Sequence, residues 1–150
     1  QIHGNIDFAR CSRGCGAPIA RLPDDLPPKH RGDPVTDSER ETLHCERCGA
    51  WLRPHVLWFD ECYDEEHFRF NSSLRAAASA RILVVVGTSG ATNLPMQVGQ
   101  LAASAGCTIV DINPDPNPFS RIAEQVERGH FLQGSSGIYL PLVATALDAS

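Results

Sequence analysis

No apolar run in this chain approaches the roughly 20 residues that cross a bilayer, so no membrane span is expected. Positive charge is scarce as well: 13 Lys and Arg stand against 18 Asp and Glu, a formal charge of −5. Binding along a phosphate backbone needs a positive surface, which argues against nucleic acid as a partner. The chain opens Gln1-Ile2-His3-Gly4 with no initiator Met and no basic-then-apolar signal layout, and it reads as a cut made inside a longer protein. Repeats and low-complexity segments are missing too.

What is present suits a soluble globular protein of 150 residues, 42% of them hydrophobic and 21% charged. Composition changes near Leu74. Residues 1–71 hold most of the charge, a Pro-rich stretch from Leu22 to Pro34 and four closely paired cysteines, and short strands and loops organised by a metal are expected there. Residues 72–150 read as α/β. An Ala-rich helix from about Ser72 to Ala80 leads into a buried strand, Ile82 to Val86, bounded by Gly87. Leu94, Val98, Leu101, Ala102 and Ala105 lie on one helix face that stops at Gly106, and Cys107 to Asn113 gives a second strand. The order predicts a right-handed βαβ unit with parallel strands. Further helices are expected around Ser120 to Arg128 and Leu142 to Leu147.

Six cysteines without a secretory signal could form disulfides or bind metal. Four of them form Cys11-x-x-x-Cys15 and Cys45-x-x-Cys48, two knuckles that supply the four thiolates of tetrahedral zinc, with Gly14, Gly16 and Gly49 permitting the tight turns. Zinc of this kind fits a reducing compartment, and the cytoplasm is the expected location. A complete thiolate set leaves no open coordination position, so the single ion is expected to be structural. His44 reads as a bystander, Cys107 as core packing, and Cys62 has no visible partner. Glu61 to His67 reads as an acidic, solvated loop.

In an open parallel sheet, ligands bind beyond the carboxyl ends of the strands. Gly87-Thr88-Ser89-Gly90 follows the first predicted strand and Asn113-Pro114-Asp115 the second, so both polar clusters share that edge. Either cluster alone reads more simply as plain turn chemistry, and only the two together weigh evenly between a turn and a ligand edge.

Ile2-His3-Gly4, the two cysteine pairs, Leu52-Arg53-Pro54-His55-Val56-Leu57-Trp58-Phe59, Gly87-Thr88-Ser89 and Ile112-Asn113-Pro114 occur in an order that resembles the sirtuins, NAD-dependent protein deacylases, of bacterial type. The resemblance implies the C-terminal part of a Rossmann-like parallel sheet with helices, plus a small zinc-ribbon lobe, with NAD and an acyl-lysine protein or peptide meeting in a cleft. It makes His3 the general base that activates a ribose hydroxyl, a task suited to imidazole, which as a class titrates near about 6.5. It also implies NAD contacts for Gly87, Thr88, Ser89, Asn113, Pro114, Asp115 and Ser136. Val56, Leu57, Trp58 and Phe59 become the segment that binds the acyl-lysine substrate, although Trp58 and Phe59 also suit a simple core.

Some features depart from that pattern. The Gly-Ala-Gly-Ile-Ser phosphate loop and the Gln-Asn-Ile-Asp motif do not precede His3, so these residues alone are expected to bind NAD poorly and to be inactive. Asp60 stands where the family has Gly, and Thr92-Asn93 where it has Val-Tyr. Two rivals remain: a non-catalytic zinc-ribbon interaction module, and an ADP-ribosyl transferase on the same scaffold.

Overall fold

The computed structural model describes residues 1–23 and 26–149; Asp24 and Asp25 of the Pro-rich stretch, and Ser150, lie outside the described residues. The chain forms two compact units, Gln1–Phe68 and Arg69–Ser150.

The first unit is built on a three-stranded antiparallel sheet in the order β2-β1-β3, with β1 Gly4–Cys11, β2 Ala20–Arg21 and β3 Leu52–Val56. The β1–β3 ladder runs from Cys11 opposite Leu52 to Gly4 opposite Val56, with an irregularity between Asn5 and Ala9. Gly4 is required at its end: φ is +81°, and a Cβ there would overlap the carbonyl of His55. The buried cluster at the other end is mostly sulfur, with Cys11, Cys45 and Ala50 packed by Cys15, Ala17 and Leu52. That is too little carbon for a hydrophobic core, as expected of a lobe organised by metal.

Two short helices appear where strands and loops alone were expected. α1, Asp37–Thr42, starts because Thr36 and Glu39 form a reciprocal capping box. α2, Glu65–Phe68, is a single turn, and it shows that the acidic run is not merely a solvated loop. Phe68 at its end is buried to 1% exposure.

The second unit carries the expected parallel pair: β4 Ile82–Val86 runs beside β5 Thr108–Asn113, with Ile82 opposite Thr108 and Val86 opposite Ile112. Helix α3, Phe70–Ser79, precedes β4, and α4, Asn93–Ser104, connects the strands. Ala77, Ala102 and Cys107 form a buried cluster with Leu83, Val98 and Leu101 around it. Cys107 is therefore core packing, and burial pushes its thiol upward.

α5, Pro118–Gln125, begins earlier than its pattern suggested because Asn117 caps it and Pro118 fits the first turn. α6, Ser136–Asp148, is likewise longer than expected. The sequence pattern missed β6, Gly129–Gln133, a third parallel strand that puts β5 in the middle of the sheet. Its alternation is weak, and its one fixed requirement is spatial: a Cβ at Gly129 would overlap the Ala123 carbonyl oxygen.

Gly129→Ala should accordingly lower stability by about 1–3 kcal/mol, because the obstacle is backbone and cannot rotate away. Thermal denaturation of the full-length protein checks this; an unchanged midpoint would show that α5 and β6 do not approach so closely.

Candidate functional site

Each unit gathers its own set of candidate residues. In the first, one ligand atom from each of Cys11, Cys15, Cys45 and Cys48 lies within 4.8 Å of all the others. Cys11 and Cys48 sulfurs are 3.5 Å apart, and those of Cys15 and Cys45 are 3.6 Å apart. Four zinc–sulfur bonds of about 2.3 Å at tetrahedral angles place sulfurs about 3.8 Å apart, so the set fits one zinc ion.

The backbone shapes both knuckles. Gly14, Gly16 and Gly49 all have positive φ, the N–H of Gly14 donates to Cys11 O at 3.1 Å, and that of Gly49 donates to Cys45 O at 2.8 Å. The N–H of Cys15 draws the Cys11 thiol down to about 6. Cys15, despite the N–H of Ala17, is pushed up to about 11 by burial and by the neighbouring sulfurs. Four thiolates this close repel one another, and a cation among them balances that charge. His44 is not a fifth candidate: its Nδ1 bonds Arg40 O at 2.7 Å and its ring lies 4.0 Å from that of Trp51.

Beyond the sulfurs, one carboxylate fixes the segment that follows β3. Glu61 accepts from the Arg53 guanidinium, from Arg10 at 3.3 Å and from the Trp58 N–H at 3.0 Å. These donors hold its carboxyl down to about 2, the Arg53 hydrogen bond contributing most. Arg53 also donates to Val56 O at 2.8 Å and stands 3.9 Å above the Trp58 ring. Trp58 and Phe59 are exposed and do not form a core; Val56 and Leu57 are half-buried.

His3 sits at the same end of the sheet. Its carbonyl accepts from the Leu57 N–H at 3.0 Å, and its Nε2 bonds Tyr63 Oη at 2.7 Å. His55, by contrast, is buried against Phe68 with ring centroids 5.6 Å apart, and burial lowers its pKa. Its Nδ1 has no partner among the described residues.

In the second unit, Gly87, Thr88, Ser89, Asn113, Pro114 and Asp115 line one cavity of about 450 Å³, together with Pro116, Asn117 and Pro118. It lies at the carboxyl ends of β4 and β5. Ser136 does not line it; it opens α6, beyond a turn tied to β5 by the Gly134 N–H donating to Asn113 O at 2.9 Å.

Sequence reasoning overlooked the group beneath this cavity. Asp111, fully buried on β5, accepts from the side-chain amide of Asn113 and, at 2.7 Å, from that of Asn117. A carboxylate inside an otherwise apolar strand was the available signal. Because Asn113 spends one of its two amide N–H groups on Asp111, what it can offer a ligand is its amide oxygen and the remaining N–H. Thr88 Oγ1 accepts from the Gly90 N–H at 3.2 Å, which leaves its hydroxyl proton to donate outward.

The Sir2 family model matches residues 1–93. The chain belongs to the Sir2 family. An "NAD-dependent protein deacylase" of Leptospira interrogans is 35% identical over 99% of this chain and 53% of its own length. One of the same name from Aeropyrum pernix is 32% identical over 83% of this chain and 44% of its own. A solved Sir2 homolog–NAD complex superposes with TM-score 0.74 at 25% identity, covering 99% of this chain and 51% of that one. A Sir2–p53 peptide–NAD+ structure, at 16% identity and TM-score 0.71 over 100% of this chain and 55% of that one, shares the fold. The fold is thus the Rossmann-like α/β fold of Sir2 proteins with its cysteine cluster. The chain spans about half the length of the curated relatives it matches. Among the described residues, no helix is long and apolar enough to cross a membrane.

Purified protein should carry one zinc ion per chain, and Cys45→Ser should lose it and unfold the first unit, since such binding is worth about 10–16 kcal/mol. Metal analysis with limited proteolysis reads both; a variant that keeps its zinc would remove Cys45 from the ligand set. For Glu61 the folded value of about 2 lies below the ordinary 4.5, so its stabilisation is complete above about 4.5 and is lost as pH falls through about 2. Glu61→Gln should therefore cost about 1–2 kcal/mol at neutral pH, with the gap from wild type closing in acid. Urea titrations across pH test this, and a gap independent of pH would contradict it.

Proposed function

We propose that the full-length protein is an NAD-dependent protein-lysine deacylase that uses His3 as general base. The observation that carries this is the placement of His3: its carbonyl is bonded to Leu57, beside the exposed Trp58 and Phe59, in a chain of the Sir2 family. NAD suits the polar set of the second unit, where Thr88, Ser89, Asn113 and Asp115, two hydroxyls, an amide and a carboxylate, line one cavity. Gly87 joins them with φ at +62° and nothing within 4 Å of where a Cβ would stand, so a ligand can approach the backbone. Pro114 completes that rim, and Ser136 is assigned to the adenine end of the same cofactor.

Substrate recognition falls to Val56, Leu57, Trp58 and Phe59. β3 is an edge strand of its sheet, which leaves one side for an extended peptide to join, and the segment that follows keeps its shape through bonds to Arg53, His3 and Glu61. A segment held in this way loses little conformational freedom when peptide and acyl chain dock. NAD held there would supply an electrophilic ribose carbon on loss of nicotinamide, to which the acyl-lysine oxygen would bond. His3 takes the proton from a ribose hydroxyl, which lets that oxygen receive the acyl group.

A set of four converging cysteines serves as metal ligands only while reduced, which supports a reducing, cytoplasmic location for this activity.

Full-length protein should release nicotinamide only when an acylated peptide is present, and His3→Ala should slow that release by about 100-fold or more. Chromatographic assay of nicotinamide with acylated and unmodified peptide decides the matter. Release without acyl-lysine would point to the transferase, and no release under either condition would point to a binding module.

A further inference from the structure

His3 is exposed, yet its ring is tethered across sixty residues of sequence. Nε2 is engaged by Tyr63 Oη at 2.7 Å, with ring centroids 5.8 Å apart, and Nδ1 has no partner among the described residues. Tyr63 is itself supported from below. Its ring stands edge-on to Phe68, with centroids 6.5 Å apart, and Phe68 is buried between the His55 ring and the Arg10 guanidinium. Immediately after Tyr63 the chain is fastened again, since Asp64 accepts from the backbone N–H of His67 at 2.6 Å and bonds its ring at 2.8 Å. The tyrosine hydroxyl is therefore presented to His3 from a fixed base.

We infer that Tyr63 is a positioning residue that selects the working form of His3: its Oη accepts from Nε2–H, which leaves Nδ1 as the lone pair that takes the proton. This rests on the assignment of His3 as general base. In the neutral imidazole one nitrogen carries the proton and the other accepts, so an acceptor fixed at Nε2 determines which nitrogen is the base. The proton balance is complete. The ribose hydroxyl proton moves to Nδ1, Nε2–H stays on Tyr63 Oη throughout, and the imidazolium later returns the Nδ1 proton to solvent. The phenol keeps its own proton throughout. Without it, the exposed ring could rotate and populate both tautomers, so part of the enzyme would present Nε2–H where a base is needed.

Tyr63→Phe removes the hydroxyl and retains the ring against Phe68. In full-length protein with 15N-labelled histidine, the wild-type His3 ring should show Nε2–H as the dominant neutral tautomer, and Tyr63→Phe should show a mixture. The same variant should lose about tenfold in kcat while KM for peptide and NAD changes less than about twofold, the pattern of a group that acts on the chemical step. Equal thermal midpoints for the two proteins would set a fold defect aside. Unchanged tautomer populations, or Nδ1–H dominant in the wild type, would overturn the inference and leave the deacylase reading intact provided His3→Ala is inactive. An active His3→Ala would instead overturn the general-base assignment, and the positioning role of Tyr63 with it.

Discussion

Four sulfurs within 4.8 Å of one another repel as thiolates, and a divalent cation among them turns that repulsion into the fold of the first unit. Its consequences run along the β1–β3 ladder. Cys11 ends β1 opposite Leu52, just after the second knuckle, so the cluster fixes which residues of the two strands face each other. That register holds from Cys11 to Ala9, and beyond the irregularity between Asn5 and Ala9 the ladder resumes with Gly4 opposite Val56 at the far end, where His3 and Leu57 meet. Zinc can thus govern the candidate chemistry without touching it: metal clamps one end of a hairpin-like ladder, and the proposed base rides on the other.

Next to the metal end, where Arg10 stands opposite Arg53, the ladder carries a polar clamp as well. Glu61 collects two arginines and a backbone N–H, with side-chain exposures of 16% for Arg10, 15% for Arg53 and 27% for Glu61. Pairs that remain this close to solvent contribute modestly to stability, so specificity of shape is the better account of why so many donors converge. Arg53 bonds both Glu61 and the Val56 carbonyl, and its guanidinium covers Trp58. The loop from Val56 to Tyr63 consequently has one arrangement, and Tyr63 returns from it to His3.

Local patterns were legible where chemistry is local. Cysteine spacing disclosed the zinc ligands, the period-3.6 stripe of Leu94 to Ala105 disclosed α4, and the β-branched run Ile82 to Val86 disclosed β4. What escaped depends on partners remote in sequence. Glu61 and Tyr63 lie in a run that reads as solvated acid, and only the fold shows Glu61 facing Arg10 fifty-one residues away and Tyr63 facing His3. Trp58 and Phe59 suit a core by composition and stand exposed, because the polar clamp holds their backbone at the sheet edge. β6 escaped because its pairing with β5, and not a strong alternation of its own, makes it a strand.

That same strand completes the second candidate site. β6 brings Gln133 and Gly134 to the carboxyl end of β5, where Gln133 donates to Pro114 O at 3.0 Å and the Gly134 N–H to Asn113 O. Asn113 is thereby held by its backbone from one side and by Asp111 through its side chain, leaving the amide no freedom to flip. A buried carboxylate is costly unless fully bonded, and here two amides satisfy it. Asn117 uses the rest of its own amide to cap α5, accepting from the Phe119 N–H at 2.8 Å. One buried acid therefore sets the presentation of Asn113 and the start of the next helix together. An amide fixed in advance presents its oxygen and its remaining N–H in one orientation, which suits a ligand hydroxyl that both donates and accepts, and that orientation is set before any ligand arrives.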